Sequence, residues 1–96
     1  MKIHFHTNLD EAQPYVAKLA DTWGGPTPAV GHEIVFEFVR WDHDRKQSMQ
    51  FNFSLIVCAV RWNEIGEPSV ELHAPSHFKN IADWMEYFRR HVKGRA

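Results

Sequence analysis

Histidine is the residue type in this sequence that most directly suggests chemistry. The chain has seven histidines in 96 residues, and His4 and His6 flank a single phenylalanine in an alternating segment. Alternate residues of a strand point to the same face, so these two imidazoles have a spacing that can chelate Zn²⁺ or a similar metal. His73 would supply a third ligand if the first and fourth predicted strands were neighbours, with Glu71 or Glu37 completing the shell. One hypothesis is therefore a metal-binding module or metal-dependent enzyme that uses His4, His6 and His73.

Other nucleophiles and bases lack a catalytic context. A general base could be oriented within Asp42, His43 and Asp44, but these residues fall in a predicted hairpin turn, where aspartate favours local backbone hydrogen bonds. Cys58 lies in an apolar run and is interpreted as a small buried hydrophobe with an unreactive thiol. We therefore predict no catalytic residue and no cofactor.

A basic cluster lies near the C-terminal end of the sequence and contains Arg89, Arg90 and Lys93. Cations are stabilised at the C-terminus of a helix, which explains such a cluster without a ligand. The 11 basic and 12 acidic residues give a formal net charge of -1, so no global field draws the protein to nucleic acid or anionic lipid. Nucleic-acid binding through Arg89, Arg90 and Lys93 is a second alternative, but we do not expect nucleic acid as the main partner.

The spacing of apolar residues predicts the elements that position these side chains. Helical spacing is found in residues 9 to 23 and again after Pro75, where the last helix is predicted to end at Gly94. Strands are predicted for four segments, namely residues 2 to 7, 32 to 41, 48 to 62 and 69 to 73. The polar run between the second and third strands makes these two a hairpin.

The order strand, helix, three strands, helix predicts an α+β fold. Each helix has one broad apolar face, and a two-layer sandwich buries both faces. We predict a four-stranded, mainly antiparallel sheet with two helices on one face, in a single domain of residues 1 to 96. The sheet residues predicted for the core are Ile3, Phe5, Ile34, Phe36, Phe38, Phe51, Phe53, Val70 and Leu72.

The order helix, strand, strand, strand, helix over residues 9 to 92 resembles that of the double-stranded RNA-binding domain family. The start of the last helix has a single lysine, Lys79, where that family presents a basic cluster, and the first strand is foreign to the family. The resemblance is one of element order, and it implies no functional residue in this chain.

The sheet face away from the helices is predicted to carry an apolar row of Ile56, Cys58, Val60 and Trp62. A contiguous apolar surface usually marks an interface. Three explanations stay open: a β-bulge or the loop of residues 24 to 31 removes the exposure, a homodimer covers the face, or another protein covers it. A second candidate surface lies on the last helix. The predicted partner-binding residues are Val39, Trp41, Ile56, Val60, Trp62, Trp84, Tyr87 and His91.

We therefore expect a non-enzymatic protein-interaction module of the accessory, adaptor or inhibitor type, a class that phages and mobile elements often carry. It would bind a macromolecular partner of unknown identity or form a homodimer through the second sheet face. The longest apolar run, residues 55 to 60, is far too short to span a membrane, and a single cysteine suits a reducing compartment. These features predict a cytoplasmic protein with no membrane partner.

Overall fold

Four strands and two helices follow one another along the chain in the predicted order. The structure is a computed structural model that describes residues 2 to 90. The elements are β1 (His4–Thr7), a 3₁₀ turn (Asp10–Ala12), α1 (Gln13–Thr22), β2 (Glu33–Asp42), β3 (Gln47–Trp62), β4 (Pro68–His73) and α2 (Ile81–Phe88). The predicted α+β class and element order are confirmed.

The strands form one sheet in the order β1-β4-β3-β2. β1 runs parallel to β4, while β3 is antiparallel to both β4 and β2, so the sheet is mainly antiparallel as predicted. The strand that comes first in the sequence therefore docks beside the strand that comes last. β2 therefore lies at one edge of the sheet, and its neighbour in the sheet is β3.

β3 belongs to two ladders that hardly overlap. Residues 47 to 56 pair with β2, residues 56 to 62 pair with β4, and Ile56 has a partner in both ladders. The register shifts by one residue at Cys58, which marks a β-bulge. A bulge reverses the alternation of side chains. Val60 therefore faces the same side as its partner Val70, which is fully buried.

Both helices cover the same side of the sheet, and we call this the helix side and the other the open face. Phe53 joins the two layers, with its ring centroid 5.4 Å from that of Tyr15 in α1 and 5.1 Å from that of Phe88 in α2. Most of the predicted sheet core is confirmed as buried, namely Ile3, Phe5, Ile34, Phe36, Phe53, Val70 and Leu72. Phe38 and Phe51 are half-buried, because they lie toward the far end of the β2/β3 hairpin.

The first helix begins later than predicted. Residues 10 to 12 form the 3₁₀ turn, and α1 starts at Gln13 with Pro14 in its first turn, where a missing amide is tolerated. Ala12 occupies the N-cap position of α1, and no side chain caps this helix. The correction follows from the proline, which fixes where the α-helix can begin.

The face of α2 that meets the sheet includes a residue that was predicted to lie on the surface. Asn80 caps the helix by accepting a hydrogen bond from the amide of Asp83. From this start, Trp84 and Phe88 are fully buried, while Ile81 is 51% exposed. The prediction of Trp84 as a surface partner-binding residue is therefore wrong. The predicted stop at Gly94 lies outside the described residues.

Candidate protein-binding surface

The open face of β2 carries the largest group of exposed apolar side chains on any one described strand. Val35, Val39 and Trp41 are 51%, 68% and 51% exposed, and the side-chain alternation places all three on this face. Two carboxylates, Glu33 and Glu37, alternate with them. We call these five residues the β2 patch.

The neighbouring strand does not cover this patch. The register places Ser54 beside Val35, Gln50 beside Val39 and Ser48 beside Trp41. Short or polar side chains of this kind bury little of an adjacent valine or indole. In the ladder between β2 and β3, the polar side chains of the open face therefore lie mainly on β3, and the apolar ones lie on β2.

The backbone of β2 has one unpaired edge. The amide of Val57 donates to the carbonyl of His32 at 2.9 Å, so residue 32 belongs to a hydrogen-bonded pair. Such pairs alternate along an antiparallel ladder, and the residues between them turn both backbone groups to the other side. The N–H and C=O groups of the five patch residues therefore point away from β3. Within residues 2 to 90, no strand pairs with this edge.

The carboxylates of the patch lack cations within the described part of the chain. Neither Glu33 nor Glu37 takes part in an ion pair or side-chain hydrogen bond between residues 2 and 90. Arg61 also lies on the open face, but its guanidinium donates to Glu71. The patch itself therefore carries two negative charges, and both carboxylates stay available for an external cation.

A shallow depression adjoins the start of β2. Its volume is about 470 Å³, and its walls include Trp23, Pro26, Pro28 and Ile34. The indole N–H of Trp23 donates to the carbonyl of Pro26 at 2.9 Å, which fixes the ring against the loop. An apolar side chain that follows the edge of β2 toward its start can enter this depression.

The predicted apolar row on β3 does not exist as one surface. Ile56 is half-buried on the open face between Glu33 and His73, but the bulge at Cys58 turns Val60 and Trp62 to the helix side. Val60 packs against the core, and Trp62 is 58% exposed at the end of its strand. A β-bulge was one of the three explanations given above for the predicted apolar row, and it accounts for the half of β3 that pairs with β4.

The remaining predicted partner-binding residues have separate positions. Val39 and Trp41 are exposed on the β2 patch. Tyr87 is half-buried, with its ring centroid 5.3 Å from that of Phe78. His91 lies outside the described residues. The predicted surface on α2 is thus not brought together with the β2 patch.

The three histidines predicted as metal ligands all lie on the open face, spaced along the neighbouring strands β1 and β4. β1 and β4 are neighbours, as the metal hypothesis requires, and His6 lies beside Glu71 in the register. His4 instead approaches Glu67, with its Nε2 3.4 Å from the carboxylate. Between residues 2 and 90, no three His, Cys, Asp or Glu side chains are grouped closely enough to hold a metal ion. The geometry therefore gives the site of His4, His6 and His73 no support.

The described part of the basic cluster is engaged in ion pairs. Arg89 lies 3.6 Å from a carboxylate oxygen of Glu11, and Arg90 lies 3.3 Å from that of Glu86. Lys93 lies outside the described residues. These contacts reduce the positive field that nucleic-acid binding would need.

Asp42 and Cys58, which were also considered for chemistry, lie at the hairpin turn and at the β-bulge. Asp42 accepts hydrogen bonds from the amides of Asp44 and Arg45 at 3.0 and 3.3 Å, so it shapes the hairpin turn as predicted. Cys58 was predicted to be buried, but it is exposed, because a bulge residue leaves the regular ladder. Its thiol lies 3.4 Å from the carbonyl of Glu71.

The predicted partner-binding residues did not include Glu33, Val35 and Glu37. The alternation of β2 assigns all three to the second sheet face, and this signal was available in the sequence. What makes them a site is the edge position of β2, which depends on where β1 docks. That position is set by tertiary packing.

Comparisons with protein-family models, with curated proteins and with solved structures found no match to this chain. No helix within residues 2 to 90 has the length and apolar character needed to cross a bilayer.

Proposed function

We propose that this chain is a non-enzymatic protein-binding module whose contact surface is the β2 patch. The observation that carries the proposal is the exposure of Val35, Val39 and Trp41 on one face of one strand. Isolated surface hydrophobics are ordinary, but here three lie along the same face of one strand, with Glu37 between Val35 and Val39. An accessory, adaptor or inhibitor role suits a module of this kind.

The composition of the patch resembles that of protein interfaces. Trp41 offers a large rigid ring, and tryptophan is enriched among residues that dominate binding energy. Covering one half-exposed valine contributes about 1 kcal/mol, since complete burial of such a side chain contributes about 1.5 to 3 kcal/mol. A cytoplasmic location is part of the proposal, and the free thiol of Cys58 is consistent with a reducing compartment.

Affinity capture with matched variants tests the proposal. The wild-type protein should retain a specific partner from the cells that produce it, and Val39→Glu and Trp41→Glu should lose that partner. Ile65→Glu is the control, because Ile65 is 74% exposed in the turn between β3 and β4, away from the patch. Retention of the same partner by all three variants would refute the proposal.

A second copy of the chain is the alternative partner for the same surface. Light scattering across a dilution series should then show a dimer that Val39→Glu and Trp41→Glu convert to monomer. A monomer at every concentration excludes the homodimer and leaves a different protein as the partner.

A further inference from the structure

We infer that the partner presents an extended segment of alternating basic and apolar residues, which adds to β2 as a fifth strand. This inference rests on the function proposed above and names the class of its partner. Three independent features of β2 support it, namely its free backbone edge, its unpaired carboxylates and the depression at its start.

The free edge of β2 is unusually well suited to accept a strand. All ten residues from Glu33 to Asp42 stay in register with β3, and the strand contains no proline and no bulge. Proline and bulges are two of the devices that normally protect a sheet edge from pairing. Strand addition satisfies the outward backbone groups of the five patch residues, and neighbouring side chains then give specificity.

The charge of the patch selects a basic partner over a second copy. In the self-pairing register that uses the whole edge, Glu33 lies opposite Trp41 and Val35 opposite Val39, while Glu37 lies opposite its own copy. Like charges directly opposite in a ladder are unfavourable. A partner with Lys or Arg opposite Glu33 and Glu37 instead pairs both carboxylates, and apolar residues between them cover Val35 and Val39.

The depression gives the added strand a direction and an anchor. A partner residue opposite Ile34 points to the helix side, where Trp23, Pro26 and Pro28 form the walls. The volume of about 470 Å³ leaves room for a leucine side chain. The expected motif therefore has basic residues on the open face and one apolar residue on the helix side near its end.

Hydrogen exchange with a designed peptide tests strand addition directly. The probe is the peptide Val-Thr-Val-Thr-Lys-Thr-Val-Leu-Lys-Thr with blocked ends. It is designed to pair antiparallel with β2, with its first residue opposite Trp41, so that its lysines lie opposite Glu37 and Glu33. On binding, the amides of Val35, Glu37 and Val39 should exchange about tenfold or more slowly, because they point to the free edge. The amides of Phe36 and Phe38 should change little, since β3 already pairs with them. Absence of binding, or binding without this alternating protection, would overturn the inference.

Two modified peptides separate the edge from the charge. A version with Glu in place of both Lys should bind at least about tenfold more weakly, and Glu37→Lys in the protein should restore part of its affinity. A version N-methylated at the amides that face β2 should lose binding, because it cannot complete the ladder. Equal binding of all three peptides would refute strand addition.

A proline variant of the protein gives an independent test on the natural partner. Val39→Pro removes an amide that points outward, so the ladder with β3 and the melting temperature should be largely kept. Phe38→Pro is the matched control and should destabilise the protein, because its amide pairs with β3. If Trp41→Glu abolishes capture of the partner but Val39→Pro does not, the binding surface stands and the fifth strand is wrong. If neither variant affects capture, the proposed function fails as well.

Discussion

The two halves of β3 lie in different surroundings, although they form one continuous strand. On the side of the open face formed by β4 and its neighbours, carboxylates have partners within the chain, since Arg61 pairs with Glu71 and His4 lies 3.4 Å from Glu67. In the half that pairs with β2, polar side chains of β3 lie beside exposed apolar residues and unpaired carboxylates of β2. The bulge at Cys58 separates the two arrangements.

This difference indicates which part of the open face can gain new contacts from a partner. A charge that already has a neighbour gains little from an external partner, because binding would break one pair to form another. Exposed valines and an unpaired carboxylate gain from both burial and charge pairing. The β2 side of the sheet, whose apolar and charged side chains have fewer contacts within the described residues, is therefore the better candidate for recognition.

The largest expected effect contrasts the helix side of this ladder with its open face. Phe53→Ala removes a ring that contacts both helices, so we expect a loss of about 3 to 5 kcal/mol in the free energy of unfolding. Val39→Ala should change it by less than about 0.5 kcal/mol, because Val39 is exposed. Urea denaturation measures both, and a similar loss in the two variants would contradict the assignment of sides.

Val60→Asp tests whether the bulge at Cys58 separates the two halves. The bulge turns Val60 to the helix side, where it packs against the core, so the substitution places a charge among apolar side chains. We expect a loss of at least about 2 kcal/mol in the free energy of unfolding. Cys58→Ser is the control and should cost less than about 1 kcal/mol, since the thiol is exposed. Thermal and urea unfolding measure both variants, and an equally small loss in the two would contradict the bulge.

The cap of α2 tests how firmly the helix layer is held against the sheet. Asn80→Ala removes the acceptor for the amide of Asp83, and we expect a loss of about 1 kcal/mol. Asn80→Asp keeps an acceptor at the same position and should retain most of the stability. Equal stability of the alanine variant and the wild type would show that the cap contributes nothing.

The smallest expected effect compares the charges of the two halves. Arg61→Ala breaks an exposed ion pair, so a loss of about 0.2 to 1 kcal/mol is expected at low salt and less at high salt. Glu37→Ala removes a carboxylate with no ion pair, so no comparable salt-dependent loss is expected. Denaturation at two ionic strengths measures the contrast, and the same salt dependence in both variants would argue against it.

The sequence was sufficient to predict the elements, the α+β class and most of the sheet core, because the spacing of apolar residues is a local signal. It was not sufficient for the bulge at Cys58, which depends on how β3 aligns with β4. The placement of Trp84 was wrong for a related reason, since the rotation of α2 against the sheet is set by tertiary packing. Trp84 was predicted on the surface and lies in the core.

The candidate site was predicted in part. Val39 and Trp41 were correctly assigned to the open face, whereas Val60 and Trp62 were lost to the bulge. The edge of β2 could not be read from local pattern, because it follows from the parallel docking of β1 against β4. Long-range pairing of this kind leaves no periodic mark in either strand.

The parallel pairing of β1 with β4 also has a consequence for how the chain reaches its native state. Of the four strands of this sheet, β1 is synthesised first, yet its ladder partner β4 is synthesised last. The β2/β3 hairpin needs only local contacts and can form while β1 is still waiting. During translation, the docking of β1 against β4 should therefore be the last step in forming the sheet. Single-molecule or pulse-labelling experiments can measure when this step occurs.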